Sequence, residues 1–260
     1  MNRILRAAMF LAFVLGATSA WAGQNCTPRQ PQPADARAAL SLAHKVDRHL
    51  ESSGARAALI GRVGRDLSEY GLRYSHLGLA LRDEARGRWR VVHLLNHCGR
   101  ADSELYDEGL GNFFLDDLFQ YEAVVLIPSP EWQERLASGV AAGQARALHQ
   151  AAYSLIAHPY SAKYQNSNQW LLELMAATGG EASRGAAQAR LAREGYEPGV
   201  IPLPPGKRLG ARLFSVNTRF DDHSMAEWSS SRYQVVTAES VLAWAQRIAA
   251  PVRQSVLTLP

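Results

Sequence analysis

The sequence predicts an α+β domain in which helices pack on an antiparallel sheet. Residues 74–81 and 89–95 alternate apolar and polar side chains around a turn-forming stretch, a pattern typical of a hairpin of half-buried strands. Other, longer segments repeat apolar residues with helical spacing. Neither an internal repeat nor a long low-complexity linker divides the chain, so residues 35–260 are predicted to form a single domain.

The first predicted helix begins near Asp35, whose carboxylate can cap the free N–H groups of a helix start. Its apolar residues keep helical spacing until Gly54, a residue that favours the end of a helix. These apolar residues are Ala39, Leu40, Ala43, Val46 and Leu50. Residues 23–34, which precede the helix, are rich in proline and glutamine and are predicted to be an extended lead-in.

Strands dominate the next part of the chain, and helices dominate the part after it. The predicted strands are residues 57–63, 74–81, 89–95, 123–127 and 233–236. The predicted helices are residues 132–157, 168–177, 182–195 and 240–248. The proline-rich segment 202–205 is predicted to be a loop, because prolines remove backbone donors and restrict the residues before them.

Charge gives no indication of a nucleic-acid partner. The chain has 28 basic and 24 acidic residues, a net charge of +4, and both signs are spread from end to end. No stretch has the roughly 20 consecutive apolar residues of a transmembrane helix. No glycine spacing fits a phosphate-binding loop, and Asp221, Asp222 and His223 are predicted to form a solvated turn. No metal or cofactor is therefore predicted.

The first 22 residues have the layout of a secretory signal peptide. Arg3 and Arg6 precede an apolar run over residues 7–17, and a small-residue pattern ends at Ala22. We expect cleavage after Ala22 and a periplasmic or secreted mature chain whose partner is a ligand or peptide of the cell envelope. Retention of the leader as an anchor is the alternative.

The two cysteines, Cys26 and Cys98, are predicted to form a disulfide. An exported chain meets an oxidising compartment, and an even cysteine count favours pairing there. Two buried thiols are the alternative. Cys98 follows His97 directly, but neighbours on a strand point to opposite faces, which argues against a cysteine–histidine catalytic pair.

The predicted hairpin carries two histidines that alternation places on one face. An even number of loop residues would put His76 and His93 on the same side of the sheet, within reach of one site. Tyr74 is expected at the wall of that site. Gly78 is expected to leave open space beside His76 for a backbone or a substrate. Histidines that merely pack on a sheet surface are the structural alternative.

A helix start at QNSNQW is the second candidate site. Asn166 and Gln169 have the spacing of a capping box, and both are predicted to be near bound substrate. Ser167 then lies in the first turn, where free N–H groups and the helix dipole favour negative charge. Such a position suits a nucleophile whose attack generates an oxyanion, although ordinary capping explains the same residues.

These motifs, in this order, resemble the circularly permuted branch of the papain-like superfamily. That branch includes lecithin retinol acyltransferase and relatives of the NlpC cell-wall peptidases. The resemblance covers about residues 55–177, with residues 178–260 as an extension, and implies a permuted papain-like core. It implies that His76 is the general base, that His93 orients it, and that Ser167 occupies the place of the nucleophilic cysteine. The arrangement also resembles an exported bacterial family known as domain of unknown function 2145.

Serine at position 167 departs from the papain-like pattern. A hydroxyl ionises far less readily than a thiol, so this exchange usually removes most of the activity of a cysteine–histidine site. The sequence therefore favours an exported envelope protein with a catalytically weak or inactive cleft that binds a ligand or partner. The alternative is a serine–histidine hydrolase or acyltransferase acting on an amide or ester of cell-wall peptide or lipid.

Overall fold

The structure is a computed structural model. It describes residues 32–85, 88–116, 118–178, 180 and 183–259. The predicted leader and Cys26 lie outside the described residues, so export, cleavage after Ala22 and the Cys26–Cys98 bond stay predictions. Within the described ranges, no helix combines the length and apolar character required to cross a bilayer.

The described residues form eight strands, six of which make up an antiparallel main sheet. The strands are β1 Ala57–Val63, β2 His76–Asp83, β3 Arg88–Asn96, β4 Ser103–Gly109, β5 Gln120–Ile127, β6 Gly199–Pro202, β7 Arg232–Val235 and β8 Arg253–Thr258. The order across the sheet is β4-β3-β2-β1-β5-β8, and β6 pairs with β7 in a separate two-stranded sheet. The predicted α+β class with an antiparallel sheet is confirmed.

Nine α-helices are present among the described residues. They are α1 Pro33–Ser53, α2 Leu110–Phe114, α3 Pro130–Ala141, α4 Gln144–Ala147, α5 Ser167–Ala177, α6 Arg184–Arg193, α7 Pro205–Phe214, α8 Met225–Ser230 and α9 Ala238–Ile248. Helix α5 is buried along its whole length, which makes it the central helix of the domain.

The two faces of the sheet are covered by different helices. Ile60 of β1 packs in a cluster with α1 and α2, whereas the adjacent Leu59 packs in a cluster with α3, α5 and α9. Successive residues of a strand point to opposite faces, so a strand buried on both faces reads as a continuous apolar run. Strand β1 is such a run, and its predicted bounds, 57–63, match the structure.

Residues after 178 complete this domain. Strand β8 pairs with β5 at the edge of the main sheet, and α9 contacts α5. The β6–β7 pair joins a third apolar cluster that includes Ile201, Phe220 and Tyr233. The extension therefore adds to both the sheet and the core.

The helix predicted over 132–157 is interrupted after Ala141 and is wrong beyond Ala147. Gly143 adopts a left-handed φ of 84° at this point, a conformation that interrupts an α-helix. After α4, the chain runs back so that Tyr153 forms a parallel bridge with Gln165. Apolar residues keep helical spacing on both sides of this interruption, so Gly143 was the one signal of it in the sequence.

The proline-rich segment at 202–205 is a loop only in part, because α7 begins at Pro205. A proline fits the first position of a helix, where its missing N–H has no partner to lose. Strands β4 and β8 were not predicted. Both are edge strands with partly exposed side chains, so their apolar alternation is weak.

Candidate functional site

His76 and His93 contact each other on one face of the sheet. Asp83 pairs with Arg88, which leaves four residues, 84–87, in the loop between the strands. Because this number is even, both histidines project to the same side, as predicted. His76 Nε2 lies 2.8 Å from His93 Nδ1.

The pair continues to a carboxylate on the next strand. His93 Nε2 lies 2.9 Å from Glu108 Oε1. Strand β4 pairs Tyr106 with His93, and Glu108, two residues further along, points to the same face of the sheet. We call His76, His93 and Glu108 the histidine relay.

Hydrogen bonding in the relay determines which nitrogens carry protons. A carboxylate only accepts, so His93 donates to Glu108 from Nε2. A neutral imidazole has one N–H, so His93 Nδ1 accepts a hydrogen bond from His76 Nε2. His76 consequently keeps a lone pair on Nδ1, and this atom has no hydrogen-bond partner among the described residues. That lone pair can accept a proton.

The relay is shielded from solvent. His93 is fully buried, His76 is 6% exposed, and the ring of Phe113 lies 5.8 Å from His76 and 5.1 Å from His93. Burial, with the charge of Arg62 and then His93, lowers the pKa of His76 well below its ordinary value of 6.5. Burial also lowers the pKa of His93, although Glu108 opposes this effect. Both imidazoles are therefore neutral at pH 7.

Arg62 places a buried positive charge beside the relay. It lies opposite His76 on β1 and donates hydrogen bonds to the carbonyl of Phe113 and the carboxylate of Asp116. Its guanidinium lies 4.7 Å from the centre of the Phe113 ring. Since like charges repel, this cation disfavours a protonated His76.

A cavity of about 640 Å³ opens at the end of the sheet where β1 ends and β2 begins. We call it the cleft. Both His76 and Ser167 line it, and so do Tyr74 and Asn166. Much of the remaining wall is apolar and includes Leu72, Leu155, Ile156, Ile201, Leu203 and Val236. Charged groups, including Arg65, Glu69 and Lys207, also line the cleft. A cavity with apolar walls and polar groups among them is typical of a small-molecule site.

Ser167 is the first residue of α5 and is nearly buried. Its hydroxyl lies 3.5 Å from the Tyr153 hydroxyl, and the described residues include no hydrogen bond between Ser167 and His76. Burial raises the pKa of the Tyr153 phenol, an effect that contact with Ser167 partly opposes, so the phenol stays protonated. Tyr153 can therefore donate a hydrogen bond into the cleft.

Asn168 attaches the start of α5 to the start of β2. Its Oδ1 accepts a hydrogen bond of 3.0 Å from the N–H of Leu77, and its Nδ2 donates to the carbonyl of Ser75 at 3.5 Å. These two residues flank His76. The helix start is thus held against the strand segment that carries the candidate base.

The histidines and α5 nevertheless belong to opposite faces of the sheet. Phe113 of α2 covers the histidine pair, while α5 packs in the cluster that contains Leu77 and Leu79. His76 and Ser167 both line the cleft at the sheet's end. The Ser167 hydroxyl, however, contacts Tyr153.

Asn166 and Gln169 form the predicted capping box. The Asn166 side chain accepts from the Gln169 N–H at 2.8 Å, and the Gln169 side chain accepts from the Asn166 N–H at 3.3 Å. Asn166 lines the cleft, whereas Gln169 is fully buried and does not. Tyr74 is at the cleft wall, as predicted, and donates from its hydroxyl to Glu122.

The open space expected beside Gly78 is filled. A Cβ at this position would lie 2.7 Å from Val91 Cγ1 and 3.0 Å from Phe113 Cε2. Gly78 does not line the cleft. The glycine is required by close packing of the aromatic ring that covers the histidines, and the sequence could not identify this ring as the neighbour.

The Gly78→Ala variant is expected to lose about 1–3 kcal/mol of unfolding free energy, because the added methyl overpacks a rigid site. Gly185→Ala is the matched control, since a Cβ there meets nothing within 4 Å and alanine favours a helix. Urea denaturation measures both. A Gly78→Ala protein as stable as the Gly185→Ala protein would contradict the packing described above.

Stability should fall as the pH drops below about 6.5. In this range the unfolded chain binds a proton at His76, whereas the folded chain does not, because its His76 has a lowered pKa. The free energy of unfolding therefore becomes smaller as the pH falls. When the pH is lowered from 7.5 to 5.5, we expect the free energy of unfolding of His76→Gln to fall by about 1 kcal/mol less than that of wild type. Exposed His44 supplies the control, His44→Gln. Equal pH dependence of His76→Gln and wild type, measured by urea denaturation, would refute a neutral buried His76.

The solvated turn predicted at 221–223 is wrong for two of its residues. The side chains of Asp222 and His223 are 1% and 0% exposed, and His223 bonds Glu227 and the Ile156 carbonyl. Asp221 is exposed and pairs with Lys163. The described residues contain no cluster suited to a metal ion.

Sequence reasoning missed Glu108 and Tyr153. Glu108 lies on an edge strand whose sequence, SELYDEG, has too few apolar residues to indicate a strand. Tyr153 fell within the helix predicted over 132–157. In retrospect, the spacing of Tyr106 and Glu108 is the one signal of a strand face near His93.

Comparison with known proteins identifies a family but no activity. No curated protein and no solved structure matches the chain. One family model matches residues 49–245, which span every residue of the relay and the start of α5. The chain therefore belongs to the family described as uncharacterized protein conserved in bacteria (DUF2145).

Proposed function

We propose that the cleft performs acyl transfer on an ester or amide, with Ser167 as the nucleophile and His76 as the general base. One observation carries this proposal: His76, whose Nδ1 keeps a lone pair because of the relay, lines the same cleft as Ser167. A base held in one tautomer by a third group is the usual arrangement for activating a hydroxyl. The carboxylate of Glu108 supplies the orienting charge that two histidines alone lack.

In the proposed reaction, His76 Nδ1 takes the Ser167 hydroxyl proton as Oγ bonds to the carbonyl carbon. The carbonyl π electrons move to oxygen and form a tetrahedral oxyanion. When the oxyanion collapses, the bond to the leaving group breaks and the leaving group takes the proton from His76. Water, or another hydroxyl or amine, then attacks the acylated Ser167 by the same steps.

Groups at the start of α5 can stabilise the oxyanion. The capping box uses the N–H groups of Asn166 and Gln169, and that of Asn168 has no acceptor among the described residues. The Tyr153 hydroxyl is a second donor beside Ser167. The partial positive charge of the helix start acts in the same direction.

The apolar wall favours a substrate with a hydrocarbon or apolar peptide portion. Together with the expected export, this supports a lipid or cell-wall peptide of the bacterial envelope as the substrate class. The papain-like ancestry implied by the sequence resemblance supports the same type of reaction.

Ligand binding without turnover is the second candidate. Two observations favour it: the Ser167 hydroxyl contacts Tyr153 rather than His76, and the histidines lie on the sheet face opposite α5. Neither excludes catalysis, because catalytic hydrogen bonds often form only when substrate is bound.

Labelling with a fluorophosphonate separates the two candidates. Acyl transfer predicts phosphonylation of the mature protein at Ser167, located by peptide mass spectrometry, and its loss in both Ser167→Ala and His76→Ala. Ser41→Ala and His44→Ala, changed on α1, should label like wild type. An unlabelled wild type would contradict the proposal. Rapid alkylation of Ser167→Cys by iodoacetamide in that case would support a binding cleft with the papain-like arrangement.

A further inference from the structure

Helix α7 and the residues after it expose a group of large apolar side chains. Leu209, Leu213, Phe214 and Val216 are 59%, 65%, 67% and 52% exposed. We call these four residues the α7 apolar surface. Single exposed apolar residues are ordinary, but a contiguous group usually marks a contact surface.

The same helix packs on the protein through its other side. Gly210 is buried, and Ala211 lines the cleft. Leu209 and Leu213 are four residues apart and therefore share one helix face, turned to solvent. Helix α7 therefore exposes its large apolar side chains to solvent, whereas a surface helix usually buries them.

Positive charge surrounds the α7 apolar surface. No aspartate or glutamate occurs between residues 198 and 220, whereas Lys207, Arg208, Arg212 and Arg219 do. Lys207 pairs with Glu69, but Arg208 donates only to the Trp228 carbonyl and the Tyr233 hydroxyl. Its charge has no carboxylate partner within the described residues.

A second cavity, of about 310 Å³, lies beside this surface and is lined by Arg212 and Arg219. Neither arginine has a carboxylate partner within the described residues. Asp221 also lines this cavity, but its carboxylate forms an ion pair with Lys163 and accepts a hydrogen bond from the Tyr164 hydroxyl. Guanidinium groups recognise phosphate with paired hydrogen bonds, so this cavity suits a phosphate group.

We propose that α7 docks on a bilayer surface that contains anionic phospholipid. The α7 apolar surface enters the boundary between headgroups and acyl chains, and Arg212 and Arg219 bind lipid phosphates. Apolar side chains flanked by cations are the composition of helices that lie in a membrane interface, and juxtaposed basic residues select anionic leaflets. Docking in this way brings the cleft, which Phe214 and Lys207 also line, to the bilayer.

Vesicle co-sedimentation of the mature chain tests this proposal without any need for turnover. We expect binding to phosphatidylcholine vesicles that contain phosphatidylglycerol, and much weaker binding to phosphatidylcholine alone or at high salt. Leu213→Ser/Phe214→Ser and Arg212→Gln/Arg219→Gln should each lower the partition constant by about tenfold or more.

Matched variants on α1 control for general loss of apolar or basic surface. Leu40→Ser changes an exposed leucine, and Arg37→Gln/Arg48→Gln removes two exposed arginines. Both should bind like wild type, and circular dichroism should show every variant folded. Binding that is absent, or equal in the α7 and α1 variants, would overturn the proposal. So would a wild-type dimer in sedimentation equilibrium that Leu213→Ser/Phe214→Ser converts to monomer without any vesicle binding.

Discussion

Replacing Glu108 with glutamine is expected to slow acylation of Ser167 by about 10²- to 10⁴-fold. A glutamine amide can donate to His93 Nε2, and His93 then carries its proton on Nδ1. His93 in turn donates to His76 Nε2, which moves the His76 proton to Nδ1 and removes the lone pair that would accept the Ser167 proton. The rate of fluorophosphonate labelling measures this effect.

Glu104→Gln is the control for the Glu108 substitution. Glu104 lies on the same strand, is exposed, and contacts His97 rather than the relay. Its labelling rate should equal that of wild type, and both variants should keep wild-type circular dichroism. If Glu108→Gln is labelled as fast as wild type, Glu108 has no role in positioning the base.

Replacing Arg184 with methionine is expected to cost about 3–5 kcal/mol of unfolding free energy at pH 7, because it leaves a buried carboxylate without its cation. Glu173 lies within α5 and is fully buried. Arg184 Nε donates to it at 2.7 Å, while Gln165 and Gln188 donate to its two oxygens. Burial raises the pKa of Glu173, and Arg184 opposes this effect most strongly.

The double variant Glu173→Met/Arg184→Met separates a stranded charge from lost packing. Apolar replacement of a whole buried pair is often close to neutral, so the double variant should be more stable than Arg184→Met. Arg193→Met, on the exposed side of α6, should change stability by less than about 0.5 kcal/mol. A double variant less stable than Arg184→Met in urea denaturation would contradict this account.

The parts of the fold that local patterns determine were predictable. Strand β1 is buried on both faces, so its apolar run, 57–63, marks its full length. The contact between His76 and His93 followed from alternation and an even loop, both of which are local properties. The capping box at the start of α5 likewise depends on four consecutive residues.

The parts that depend on distant packing were not predictable. Glu108 reaches His93 from an edge strand with a weak apolar pattern, and Phe113 fills the space beside Gly78 from a short helix. Ser167 contacts Tyr153, but the sequence predicted a helix at Tyr153, where the structure has extended chain. Each case requires knowing which elements are neighbours in space.

The protonation of His76 is the central element of this account, and NMR measures it directly. Long-range ¹H–¹⁵N correlation spectra of the mature protein at pH 7 report the tautomer of each imidazole, with His76→Gln and His93→Gln supplying the assignments. We predict that both histidines are neutral and protonated on Nε2, with His76 Nδ1 unprotonated. A His76 that is charged at pH 7, or that carries its proton on Nδ1, would contradict the relay as a device for presenting a base to Ser167.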